Sequence, residues 1–151
     1  MIIEKILVPV DYSECSRAAL AKATEFAESF GAKLDVVHVW DRPTYVSDSL
    51  MVASPSGEKR SLIEMIRENA AQEMVDFIRT VKVPATVALS HRLLSGEPVS
   101  TLLRDLKEHQ HDLVVVGTHG RTGLTHVLVG SVAERLVRSS PVPVVTVPPP
   151  R

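Results

Sequence analysis

The segment from residue 117 to residue 131 reads G-T-H-G-R-T-G-L-T-H-V-L-V-G-S, and its spacing suits a phosphate. Gly117, Gly120 and Gly130 let backbone approach a ligand with no Cβ in the way, and Gly117 lets the chain leave a strand sharply. Gly130-Ser131 stands directly before a helix-forming stretch. The unpaired amides and positive dipole end of a helix start favour an anion, and the Ser131 hydroxyl can add a hydrogen bond. This is not a P-loop, because no G-x-x-x-x-G-K-[ST] occurs and the segment holds no lysine. Nor is it the dinucleotide fingerprint, since the spacing is G-x-x-G-x-x-G after a fourth strand. The glycines alone fit equally a phosphate cradle and a set of tight turns ending in a helix cap.

Other residues carry weaker signals. Asp11, at the end of the first apolar run, can hydrogen-bond a ligand, cap the next helix, or do both. His119 and Arg121 lie in the glycine segment, as phosphate contacts or as solvated side chains. His126, at its far end, reads as structural or exposed. His38 interrupts an apolar strand and reads as a satisfied strand-end histidine. His109 and His111, at i and i+2 in a turn, do not converge as an H-E-x-x-H pair does, so no metal site is expected. Cys15 reads as a buried, inert thiol in the first turn of a helix. Ser13 and Ser16 have no histidine and aspartate partners in recognisable spacing, and no catalytic residue is assigned.

Short β-branched runs alternating with amphipathic stretches must position these groups, which is the pattern of an α/β protein with a mostly parallel sheet. Ile2 to Val10 is the first strand, nearly continuous in apolar residues, as a strand covered on both faces should be. Asp11 or Ser13 caps a helix whose apolar positions run from Ala19 to Phe30, with Gly31 as its terminator, and Asp11 with Glu14 has capping-box spacing. Leu34 to Trp40 is the second strand. Asp41 to Glu58 reads as one long loop, Leu62 to Val81 as a helix, and Val83 to Leu93 as the third strand. Gly96 to Pro98 opens a helix with Val99, Leu102, Leu103 and Leu106 on one face. Asp112 to Gly117 is a central strand ending in a glycine, where an open α/β sheet places its ligands. Ser131 and Glu134 have the spacing of a capping box. Val142 to Val147 closes the chain as a fifth strand, and Pro143 assigns it to a sheet edge.

The 151 residues form one domain. A formal net charge of −1 supplies no basic field for nucleic acid. No apolar stretch approaches the ~18 residues of a spanning helix, so no membrane partner is expected. The opening MIIEKILVPVD reads as a strand and not as a signal peptide, and one cysteine allows no internal disulfide. A cytoplasmic protein is the expectation.

The glycine segment, the opening ILVPVDYS, the strand VVHVW and the closing SSPVPVVTVP together resemble the universal stress protein family over essentially the whole chain. The resemblance is to its ATP-binding branch: glycine, two residues, glycine, nine residues, then glycine and serine or threonine, here Gly117, Gly120, Gly130 and Ser131. It implies a five-stranded parallel sheet of order 3-2-1-4-5 with helices on both faces, Rossmann-like and similar to the adenine nucleotide alpha hydrolases. It places adenine near Pro9, Val10, Asp11 and the backbone of Val39. Ribose and phosphates fall to Val116, Gly117, Gly120, Gly130, Ser131 and Val132, with His119 and Arg121 alongside.

The function this implies is an ATP-binding regulatory protein of the stress response, with Mg2+ held mainly by the phosphates and no protein metal site. It is expected to act as a nucleotide-dependent homodimer joined through the C-terminal strand, and not as an enzyme. The rival expectation is a slow ATPase or phosphotransferase using the same pocket, which would need a base and a cation at the γ-phosphate.

Overall fold

The structure, a computed structural model, describes residues 1–40, 43–119 and 129–151. Its first apolar run forms β1 (Lys5–Pro9), which leads through a tight turn into α1 (Glu14–Phe30) and then β2 (Lys33–Trp40). A short hairpin, β3 (Met51–Ala53) and β4 (Lys59–Ser61), precedes α2 (Leu62–Arg79), β5 (Leu89–Ser95) and α3 (Pro98–Glu108). The chain closes with β6 (Leu113–Gly117), α4 (Ser131–Ser139) and β7 (Val144–Val147).

The main sheet is five-stranded, ordered β5-β2-β1-β6-β7, and every pairing in it is parallel. Apart from the hairpin strands this is the 3-2-1-4-5 order that the resemblance implies. Each central strand feeds both faces, which explains the unbroken apolar runs. Ile6, Val8, Leu34, Val36, Leu113 and Val115 pack with Leu20, Ala23 and Ala27 of α1 and Met74 and Phe77 of α2. On the other face Leu7, Val37, Val114 and Val116 meet Leu102 and Leu106 of α3 and Ala133 and Leu136 of α4. Side chains such as Leu20, Leu34 and Met74 have no solvent exposure, so truncating one to alanine costs about 2–5 kcal/mol.

Local signals set the helix ends. Ser13 is the N-cap of α1, its Oγ accepting from the Ser16 amide at 3.2 Å, and Gly31 closes that helix at φ 68°. The cap is therefore Ser13, and Asp11 supports it from outside instead of forming a box with Glu14.

Three expectations are corrected. The stretch from residue 41 to residue 58 is not one loop: Met51–Ala53 pairs antiparallel with Lys59–Ser61. The turn between them is closed by Ser54 N–H donating to the Glu58 carbonyl at 2.8 Å, with Gly57 at a φ of 85° that a side chain would disfavour. The third sheet strand lies later, at Leu89–Ser95, because Val83 to Ala88 holds Pro84 and a turn in which Val87 N–H reaches the Pro84 carbonyl at 3.0 Å. Ser131 is the first residue of α4 and Gly130 its N-cap, with no side-chain cap bond, so the Ser131–Glu134 box does not form.

Candidate functional site

Chain direction divides at the centre of the sheet. From β1 the chain moves through α1 to β2, and from β6 through α4 to β7, so the β1–β6 boundary is the topological switch point where open α/β sheets hold ligands. The ladder explains why a gap opens there. Lys33 N–H donates to the Glu4 carbonyl and Val10 N–H to the Val37 carbonyl, both at 2.8 Å, so even-numbered residues of β1 face β2 and odd-numbered ones face β6. Pro9 therefore faces β6, and it has no N–H to give. The recorded register of β1 with β6 is Ile6↔Leu113 and Leu7↔Val114.

The same parity places Val39. Odd-numbered residues of β2 turn their amide and carbonyl toward β1, as Lys33 and Val37 do. Pairing of β1 with β2 ends at Pro9↔Val37, whereas β2 runs on to Trp40. The backbone N–H and C=O of Val39 therefore point past the end of β1, into a cavity of about 330 Å3.

That cavity gathers the predicted residues from four elements. Pro9, Val10 and Asp11 come from the end of β1, Val39 from β2, Val116, Gly117 and His119 from the end of β6, and Gly130, Ser131 and Val132 from the start of α4. Gly120 and Arg121, predicted with them, lie outside the described residues, as does His126. The structure adds Ser16, Val37, His38, Thr118 and Ala133, and from α3 it adds Pro98 and Leu102. The α3 pair was not visible in the sequence, because nothing local says that this helix crosses the switch point.

Asp11 is braced by its neighbours. Its Oδ1 accepts from Ser13 N–H at 3.1 Å and from Ser16 Oγ at 2.6 Å, and its own amide donates to Ser16 Oγ at 2.9 Å. Tyr12 turns the chain with a left-handed φ of 67°, which costs about 1–2 kcal/mol for a residue with a side chain. Its ring packs 4.4 Å from His38 and 5.3 Å from Phe77, offsetting that cost. His38 Nδ1 donates to the Val10 carbonyl at 2.7 Å, the satisfied strand-end role expected of it.

Gly117 lines the cavity and also answers a packing need. Its φ is not in the left-handed region. A Cβ there would lie 2.8 Å from Cys15 Cβ and 2.9 Å from the Cys15 carbonyl carbon, so the glycine lets α1 sit against the end of β6. Cys15 itself is buried and free.

At the other end of the glycine segment, Gly130 N–H donates to the Thr118 carbonyl, joining the start of α4 to the end of β6. The first intrahelical bond is Glu134 N–H to the Gly130 carbonyl at 2.9 Å. The amides of Ser131, Val132 and Ala133 come before it, at the positive end of α4, and these residues line the cavity. Thr118 Oγ1 and His119 Nδ1 hydrogen-bond at 2.8 Å beside them. Glu97 caps α3, accepting from the Ser100 amide at 2.8 Å, and takes a bond from Arg135 Nη1 of α4 at 2.9 Å. The Ser100 bonds, with Arg135 assisting, push its carboxyl down to about 2. Among the described residues lining the cavity none is lysine or arginine.

Sequence reasoning missed a buried polar cluster under α3, toward the opposite end of the strands. Arg92 Nη1 and Nη2 donate to the Asp105 carboxylate at 2.7 and 2.8 Å, while Nη2 and Nε reach Asp35 at 2.5 and 3.3 Å. His111 Nε2 also meets Asp35, at 2.9 Å. Burial alone would raise the Asp35 carboxyl, but hydrogen bonds from His111 and Arg92 and their charges hold it well below the usual carboxylate range. Asp35, Asp105 and His111 present atoms within 4.8 Å of one another, a spacing that suits a metal, but the Arg92 guanidinium already occupies both carboxylates with its hydrogen bonds. The one local hint was Asp35 itself, a charge within an apolar strand.

A family model described as the universal stress protein family matches residues 3–148. The universal stress protein YxiE of Bacillus subtilis is 30% identical, the alignment covering 97% of this chain and 99% of that protein. The solved structure of universal stress protein UspA from Lactobacillus plantarum superposes with a TM-score of 0.70 at 26% identity, covering 97% of this chain and 99% of that one. A universal stress protein from Archaeoglobus fulgidus, solved in complex with dAMP, shares the fold with a TM-score of 0.58 at 23% identity, covering 97% of this chain and 99% of that one. No helix among the described residues is long and apolar enough to cross a membrane. Sheet order, switch-point cavity and a family match over nearly the whole sequence agree: the chain belongs to the universal stress protein family.

Proposed function

We propose that this protein binds an adenine nucleotide, ATP with its Mg2+ carried by the phosphates, and acts as a nucleotide-dependent regulator in the stress response. The observation that carries the reading is the pair formed by Val39 N–H and C=O, aimed past the end of β1 and across a cavity from the first turn of α4. The edge of adenine sets an amino donor beside a ring-nitrogen acceptor, which complements one backbone acceptor and one backbone donor. The amides of Ser131, Val132 and Ala133 then suit the phosphates. Pro9, Val10, Asp11, Val116, Gly117 and His119 line the space between, with Gly120 and Arg121 proposed to join them. The dAMP bound by the Archaeoglobus fulgidus protein supports the choice of ligand class.

Binding, not turnover, is the proposed task. Apart from Arg121, proposed above, the site offers no cation for a γ-phosphate: no lysine stands in the glycine segment, none is among the described lining residues, and Asp11 Oδ1 is engaged by Ser13 and Ser16. The working form is proposed as a homodimer joined along the outer edge of β7, in the cytoplasm, where a free cysteine fits a reducing setting. Mass spectrometry of nucleotide released from freshly purified protein, with calorimetric titration of ATP against GTP, tests the reading. Adenine nucleotide in the released fraction and a preference for ATP are expected. No binding at millimolar ATP with Mg2+ would sink it.

A further inference from the structure

We infer that Arg92 is a positioning residue for the switch-point cavity: by gripping Asp35 of β2 and Asp105 of α3 together, it sets where the α3 wall stands against the β2 wall. The inference rests on the nucleotide reading of that cavity. One wall is Val37 and Val39, and another is Pro98 and Leu102 of α3. Asp35 lies two residues before Val37 on β2, and Asp105 lies one turn after Leu102 on α3, so each carboxylate is rigidly joined to a wall.

Apolar packing sets the position of α3 less sharply than directional bonds do. Val99, Leu102 and Leu106 are each 2% exposed, and the attraction they supply is non-directional. A guanidinium is planar and presents its donors in a fixed fork, so bonds to two carboxylates fix distance and angle together. Arg92 makes two bonds to Asp105 and two to Asp35. Asp35 is held from behind by His111 at 2.9 Å and Ser90 Oγ at 3.2 Å, so the anchor on the sheet side does not swing. Lys5 Nζ adds a bond to the His109 carbonyl, 3.3 Å away at the far end of α3. A buried ionic cluster is a poor source of stability compared with apolar packing, which makes a geometric role the better account of it here.

Three variants test this. Asp105→Asn keeps the size of the side chain and removes one arm of the grip. Arg92→Lys keeps the charge and removes the fork. Met74→Ala hollows the opposite core layer under α2 and serves as a destabilised control. For Asp105→Asn and Arg92→Lys the dissociation constant for ATP is expected to rise about tenfold, and for Met74→Ala to stay within twofold. Hydrogen exchange at the Thr101 to Leu103 amides, measured without ligand, should speed up at least tenfold in the first two variants and not in the third. Wild-type protein that fails to bind nucleotide would overturn the reading of the cavity, while the exchange result still decides the grip. Unchanged exchange and affinity in both grip variants, or an equal loss in Met74→Ala, would overturn the inference.

Discussion

Gly117 ends β6 directly against Cys15 of α1, so close that a Cβ on the glycine would sit 2.8 Å from the cysteine Cβ and 3.0 Å from its carbonyl oxygen. Two of the three nearest atoms are backbone, so the strain cannot be relieved by rotating a side chain. Gly117→Ala should therefore destabilise the fold by about 1–3 kcal/mol, as other overpacked sites do. Urea denaturation reads this directly, and a wild-type midpoint would show that α1 does not need the close approach. It follows that a bulky residue at position 117 is a poor probe of ligand contact, since it disturbs α1 first.

Gly130 is the better place to probe the proposed phosphate end. Its φ of −68° and ψ of 157° are extended values that valine adopts readily. Gly130→Val should cost only about 1 kcal/mol of stability, through a poorer N-cap. Its β-branched side chain would stand beside the first amides of α4, so the dissociation constant for ATP is expected to rise at least tenfold by calorimetry. Wild-type affinity in a folded Gly130→Val protein would remove the start of α4 from the site.

Acid stability should report on Asp35. Its carboxyl is held below its unfolded value, so the favourable contribution is complete above about pH 4 and drains away as pH falls toward the lower folded value. Asp35→Asn should cost about 3 kcal/mol at pH 7, because Arg92 and His111 lose a charged partner. It should also flatten the fall in urea midpoint between pH 4 and pH 2 relative to wild type. Parallel curves for the two proteins would show that the cluster does not govern acid stability.

The edge of the sheet can be tested without deleting it. Val114 N–H donates to the Pro143 carbonyl at 3.0 Å and Thr118 N–H to the Val147 carbonyl at 2.9 Å, so odd-numbered residues of β7 face β6. Val144 and Thr146 turn their amides outward, away from the sheet. Thr146→Pro removes an outward donor and spares the inner ladder. If two copies join along β7, this variant should run as a monomer in size-exclusion chromatography with light scattering, with its helical circular dichroism intact. A wild-type dimer for Thr146→Pro would place the interface elsewhere.

How far the sequence could be read depended on how local each cause was. β1, β2 and β6 are covered on both faces, so their unbroken apolar runs announced them. β5 is an edge strand whose second and third residues, Ser90 and His91, are exposed, and its place was set by pairing with β2 more than by its own pattern. The hairpin has strands of three residues that bury little, and only Pro55-Ser56-Gly57 hinted at its turn. Asp11, Val39 and the glycines were named through family resemblance, and ladder parity supplies the physical reason for Val39, whose backbone faces β1 beyond its last paired residue. The Arg92 grip was not legible, because Asp35, Arg92, Asp105 and His111 are scattered and meet only once α3 has folded back over the sheet.

Pro9 has a consequence for how ligand and protein share one architecture. By withholding a donor toward β6 at the last position of β1, it ends the central strand early while both neighbours continue. A flat base seated against Val39 would occupy the place of the residue that β1 does not extend to, behaving as a detachable last rung of the sheet. Occupancy and stiffness at the middle of the molecule would then rise and fall together. A small molecule would act as a reversible keystone, its presence felt by the strands on either side.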